Sequence, residues 1–188
     1  MKEIFLYSSS IFFALAYISY IISILRGRTK PHRTTRFVVL VVANITTLSL
    51  IAQDSSVAIW IASIATIFSW IVFLLSLKYG IGGWSKTDIA CLIIALLGIY
   101  VWKITNNPQL AFFASIIADF IGMLPAFIRT YRHPRTEGIG FYAIDAVGAG
   151  LNLLAISAWL PQEYIYPLYY LFLDACMLTL IFRQKIKI

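Results

Sequence analysis

Seven long apolar runs, separated by short polar turns, set the strongest limit on what this chain can become. They are Ile4–Leu25, Phe37–Ala52, Val57–Leu77, Thr87–Trp102, Gln109–Ile128, Ile139–Leu160 and Tyr164–Phe182. A helix needs about 20 apolar residues to cross the hydrocarbon core of a bilayer, and most of these runs reach that length. The second and fourth are shorter, so they are expected to tilt less or to draw flanking residues inward. Continuous runs of this length exclude barrel strands, which are shorter and alternate apolar with polar. Short connections leave no room for a soluble domain. The composition agrees: 61% of the 188 residues are apolar and 12% are charged, where a soluble domain carries about 25% charged residues. The first run is too long for the apolar stretch of a cleaved leader and no small-residue cleavage site follows it, so it is expected to be retained.

Charge is arranged to match. Of 15 Lys and Arg, all but Lys2 and Lys103 fall in the turns after the first, third and fifth runs or in the C-terminal tail. The positive-inside rule then predicts an outer N-terminus and a cytoplasmic C-terminus, in a multi-pass protein of the plasma or inner membrane. A net charge of +7 is thereby explained by topology, and nucleic acid is not an expected partner. Trp102, Trp159, Tyr164 and Tyr166 are placed by this frame at the outer interface, with Tyr79 and Trp84 at the inner one. Trp70 falls near the middle of the third run.

Two basic turns echo each other. Residues 24–35 read ILRGRTKPHRTT and residues 124–138 read LPAFIRTYRHPRTEG. A shift of about a hundred residues superposes Arg26 on Arg129, Pro31 on Pro134 and Ala43 on Ala146, with further matches along the following helix. The shared charge–proline turn carries the comparison. It divides the chain into a first three-helix repeat over 1–80, a linker helix over 81–105 and a second three-helix repeat over 106–188. The odd linker gives both triplets the same orientation, so the expected fold class is an all-α membrane protein of seven transmembrane helices, two parallel three-helix bundles joined by one helix (3+1+3).

Three acids sit inside the apolar runs: Asp119, Asp145 and Asp174. Each is costly at bilayer depth and requires water, a cation or a proton. No Lys or Arg lies within the interiors of the runs to neutralise them. Ser115, Asp119, Gly122 and Ala126 share one helical stripe, and Asp145, Gly148, Ala149 and Asn152 share another. Small residues beside a polar one permit close helix approach or leave a cavity. Asn44, Thr47, Ser69 and Trp70 are their counterparts in the first triplet. A central solute site between the triplets is one reading, and hydrogen bonds that hold helices together are the other. Cys91 and Cys176 read as small buried hydrophobes. Gly80, Gly82 and Gly83 lack the flanking strand and GK of a phosphate loop. His32 and His133 occupy equivalent turns and read as interfacial. Pro167 reads as a first-turn proline near the outer end. No catalytic triad, metal cluster or paired catalytic carboxylates can be assembled, so neither an enzyme nor a cofactor is expected.

The stretch LPAFIRTYRHPRTEGIG, with Pro125, Arg129, Arg132, Thr136, Glu137 and Gly138 in matching places, resembles the signature of the SWEET and PQ-loop (MtN3-like) transporter superfamily. Ala126 stands where that signature has glutamine, and Ile22 stands where the first copy would have its helix proline. Members often carry a midplane asparagine in the third and seventh helices; here Asp174 occupies roughly the seventh-helix position. The resemblance implies a hinge at Pro125 and alternating access around a midplane site, for which Asp119, Asp174, Asp145, Asn152, Asn44, Ser69 and Trp70 are the candidate residues. The expected solute is small and polar (a sugar, an amino acid or a vitamin-like compound), with protons or another cation as coupling partner. A non-transporting receptor or interaction protein of the same fold is the alternative, and a channel is a third reading.

Overall fold

Within an apolar run the only partners available to backbone N–H and C=O groups are those of the run itself, which makes helix the default. Among the described residues there are seven: α1 (Lys2–Leu25), α2 (Arg33–Ile51), α3 (Ala58–Tyr79), α4 (Lys86–Thr105), α5 (Pro108–Arg132), α6 (Ile139–Ala155) and α7 (Pro161–Phe182). The computed structural model describes residues 1–132 and 139–183, without the side chains of Pro125 and Arg129. The second basic turn, with His133, Pro134, Arg135, Thr136, Glu137 and Gly138, lies outside the described residues. Pro125 lies within α5, and its side chain is not among those described.

Among the described residues, six helices are long and apolar enough to cross a membrane. The short one is not where the runs place it. α2 and α4 extend to 19 and 20 residues, whereas α6 has 17 and spans about 26 Å. α2 gains its length at the start, because Arg33 to Arg36 join the helix ahead of the apolar run. α6 loses its length at the end, where residues 156–160 leave the helix before Pro161 opens α7. Since α7 begins at Pro161, Pro167 lies in its second turn, buried inside the helix. The first-turn proline is Pro161, and Pro167 leaves the carbonyl four residues back without its usual helical donor.

Burial runs opposite to that of a water-soluble protein. Ile11, Leu15, Ile18, Ile22 and Leu25 of α1 are exposed, while Ser9, Thr46, Ser49, Ser69, Ser115, Asn152 and all three intrahelical acids but Asp119 are buried. Asp119 is partly buried. An apolar outer surface and a polar interior suit a bundle surrounded by hydrocarbon. α3 packs against both α1 and α2, and α7 packs against both α5 and α6. Across the middle, α1 lies on α6 and α2 on α5, while α4 packs on α5 and α2. Glycine lets two of these pairs approach closely. A Cβ on Gly148 would stand 2.7 Å from the Phe13 ring, and one on Gly98 would stand 2.5 Å from Cβ of Ala114.

At the basic end the turn before α2 pairs with the turn after α3. His32 and Ile81 form a parallel bridge, Ile81 N–H donates to Pro31 C=O, and Arg33 N–H donates to Ile81 C=O. Gly82 has φ +90°, and a Cβ there would collide with the His32 ring. The glycines are therefore placed for close backbone approach. α4 then starts in a capping box of Ser85 and Asp88, with Thr34 reaching Asp88 at 3.2 Å.

The α1–α6 approach is testable. Gly148→Val should destabilise the purified protein by about 1–3 kcal/mol, since the ring of Phe13 cannot retreat from a packed core. Gly150 faces open space, so Gly150→Ala should leave stability unchanged or raise it by about 0.5–1 kcal/mol. Melting temperatures in detergent would check both.

Candidate functional site: a polar cavity between the helices

A small cavity of ≈ 20 Å³ lies between α1, α2, α3, α5 and α7. That is room for about one water molecule. α1 contributes Tyr17, α2 contributes Thr46, α3 contributes Ser69, α5 contributes Ser115 and Asp119, and α7 contributes Tyr166, Tyr169 and Tyr170. Helical spacing explains each set. Ser115 and Asp119 are four apart on α5, and Tyr166, Tyr169 and Tyr170 are three and four apart on α7, so each set shares one face.

Asp119 is the one acid in the lining, and its Oδ2 accepts from Tyr169 Oη at 2.7 Å. Thr46 Oγ1 donates to Ser115 Oγ at 2.8 Å, and Ser115 donates to the Phe112 carbonyl at 2.7 Å. That pair ties α2 to α5 at the edge of the cavity. Tyr166 Oη donates to Tyr170 Oη at 3.3 Å. A cation does reach this region. Because α2 begins at Arg33, Arg36 lies in its first turn, hydrogen-bonds Tyr20 and stacks 4.8 Å over its ring. From there it acts electrostatically on Asp119. The helix starts four residues ahead of the apolar run, which places Arg36 in its first turn, while the run itself holds no Lys or Arg.

The other expected site residues are distributed around the cavity. Asp145 on α6 and Asp174 on α7 are both buried and face each other within hydrogen-bonding reach. Asp145 Oδ1 and Asp174 Oδ2 receive no hydrogen bond from any described residue. Two ionised carboxylates so placed would repel, and one proton held between them converts the repulsion into a hydrogen bond. Asn152 donates to Ser9 Oγ at 3.3 Å and to the Val57 carbonyl at 3.4 Å, which joins α6 to α1 and the start of α3. Asn44 donates to the Leu40 carbonyl of its own helix at 2.7 Å. Thr47 and Thr66 link α2 to α3 by reciprocal bonds to Ala62 and Ala43 carbonyls. Ser69 lines the cavity. Trp70 is 49% exposed on the outer surface of α3. Tyr166, placed by the sequence at an interface, is instead buried in the core beside Phe112.

One residue had not been singled out. Glu163, in the first turn of α7, accepts five hydrogen bonds from the start of α3: Ser56 N at 2.5 Å, Val57 N and Ala58 N at 2.9 Å, and the hydroxyls of Ser55 and Ser56 at 3.1 Å. α3 has no side-chain cap from its own Ncap residue, Val57. Glu163 caps it from another helix, with its negative charge at the positive end of the α3 dipole. The signal available in the sequence was an acid just after Pro161 and a Ser-Ser pair before the third run.

Compared with models of protein families, with curated proteins and with solved structures, the chain matches none.

Charged acceptors make strong hydrogen bonds, and removing Glu163 strands three N–H donors. Glu163→Ala should therefore cost about 3 kcal/mol of stability in detergent, and Glu163→Gln, which keeps one carbonyl oxygen, about half of that. The exposed Glu3→Ala should have no effect. A Glu163→Ala protein that melts with the wild type would remove this tie from the account.

Proposed function

We propose that the chain is a carrier of small polar solutes that works by alternating access. In this reading α1–α3 and α5–α7 are parallel repeats joined by α4, and the basic end faces the cytoplasm. The cavity carries the proposal: Asp119 and seven hydroxyls line it among apolar side chains, and α1–α3 form one side while α5 and α7 form the other. The helix adjacency supports the repeat, because α3 and α7 occupy corresponding places, each packed on both other members of its triplet. A two-fold exchange of the triplets also pairs the α1–α6 contact with the α2–α5 contact. Parallel-repeat carriers keep their solute sites at such an interface.

The cavity is too small for a solute in this conformation, so loading requires the triplets to separate at one end. Glu163 closes the end away from the basic turns. At the basic end Arg36, Tyr20 and Phe141 meet in a ring cluster across α1, α2 and α6. The facing carboxyls of Asp145 and Asp174 supply a place for a coupling proton.

Reconstituted into liposomes, the protein should take up one class of radiolabelled solute in a screen of sugars, amino acids and vitamin-like compounds. Uptake should saturate, respond to a pH gradient and fall at least about tenfold in Asp119→Asn. Rates that ignore the gradient and survive Asp145→Asn and Asp174→Asn would remove the coupling. Specific binding of a solute or peptide without any flux would favour a receptor instead.

A further inference from the structure

We infer that the Asp119 cavity binds a primary ammonium group, which makes the preferred solute a protonated amine. This names the substrate class of the site and rests on reading the cavity as the solute site.

The first reason is the direction of the hydrogen bonds around the cavity. Ser115 spends its hydroxyl hydrogen on the Phe112 carbonyl and Thr46 spends its own on Ser115. Tyr169 donates to Asp119, and Tyr166 donates to Tyr170. Of the polar groups that line the cavity, the Asp119 carboxylate and the lone pairs of these hydroxyls remain, with the Ser69 hydroxyl as a donor. An acceptor-rich wall suits a ligand made of N–H donors and rejects anions and carbonyl oxygens, which would find few donors there.

The second reason is the aromatic wall. Tyr169 and Tyr170 stand edge to face with ring centroids 5.8 Å apart, and Tyr166 and Tyr170 at 5.0 Å. Tyr17 is stacked on Phe68 at 5.3 Å. Ring faces attract cations, and the attraction grows where water is excluded. The third reason is charge and size. One carboxylate calls for one positive charge, and a space of about one water accepts an –NH₃⁺ head but not a trimethylated one. Arg36, the cation that acts on Asp119 from α2, is already engaged with Tyr20, so the carboxylate keeps its lone pairs for a ligand.

The test is equilibrium binding to the detergent-purified full chain, read as melting temperature and calorimetric titration at constant ionic strength in potassium phosphate. Methylammonium and ethylammonium should raise the melting temperature saturably, while methanol, ethanol and NaCl should not. Asp119→Asn, which keeps an acceptor for Tyr169, should weaken amine affinity at least about tenfold. Tyr169→Phe, which frees a carboxylate lone pair without removing the charge, should retain amine binding. A folded wild type that ignores amines, a response equally strong in Asp119→Asn, or an equal response to Na⁺ would each overturn the inference. Amine binding without flux into liposomes would leave it standing and remove the carrier reading. Flux of a neutral solute without amine binding would do the reverse.

Discussion

A helix that starts inside or against hydrocarbon must find partners for its first N–H groups, and α3 finds them on another helix. The Glu163 carboxylate of α7 takes Ser56, Val57 and Ala58 together. With that contact α3 and α7 are held together at one end, and the core behind it can close. Phe13, Leu50, Ile61, Phe112 and Tyr166 form one buried cluster drawn from five helices. None of these side chains specifies its neighbour by direction, since dispersion and area are nearly isotropic. The charged cap supplies the register that they lack.

The polar interior follows from the same shortage of partners. Hydroxyls of Thr46, Ser115, Thr47 and Thr66 spend their hydrogens on carbonyls or on one another across helix pairs. Such bonds are modest singly, on the order of 1 kcal/mol or less in a bilayer, and they set which helices touch. Their consequence for the cavity is chemical: Thr46 and Ser115 have already spent their hydrogens and turn lone pairs toward it.

How much of this the sequence disclosed depends on the range of the interaction concerned. The seven helices were legible because apolar length is a local property, and Ser115 with Asp119 because helical spacing is too. The span of α6 was not, since Ile156 to Leu160 are apolar whether helical or not and only the following proline marks the break. Arg36 was not foreseen as a neighbour of the acids because it stands outside the apolar run, whereas α2 begins ahead of it with the guanidinium laid on Tyr20. Gly80 and Gly82 carried no sign of what they approach. That is His32 and Pro31, about fifty residues earlier. Glu163 and the tyrosines of α7 were visible as residue types, but their roles are set by partners on other helices.

The tie at Glu163 and the smallness of the cavity place opposite demands on a carrier. A ligand shifts a conformational balance only by the difference in its affinity for the two states. Opening the Glu163 end breaks five hydrogen bonds, yet it also admits water, which replaces them on both the carboxylate and the N–H groups. The net cost is then far below the sum of the bonds broken. At the basic end Arg36 and Tyr20 are already partly exposed, so opening there costs less and gains less. A cationic head seated on Asp119 would change that comparison directly, because it adds positive charge beside Arg36 and not beside Glu163. Repulsion from the ligand would loosen the Arg36 end and leave the Glu163 end closed, so the charge that selects the solute would also favour one direction of exit.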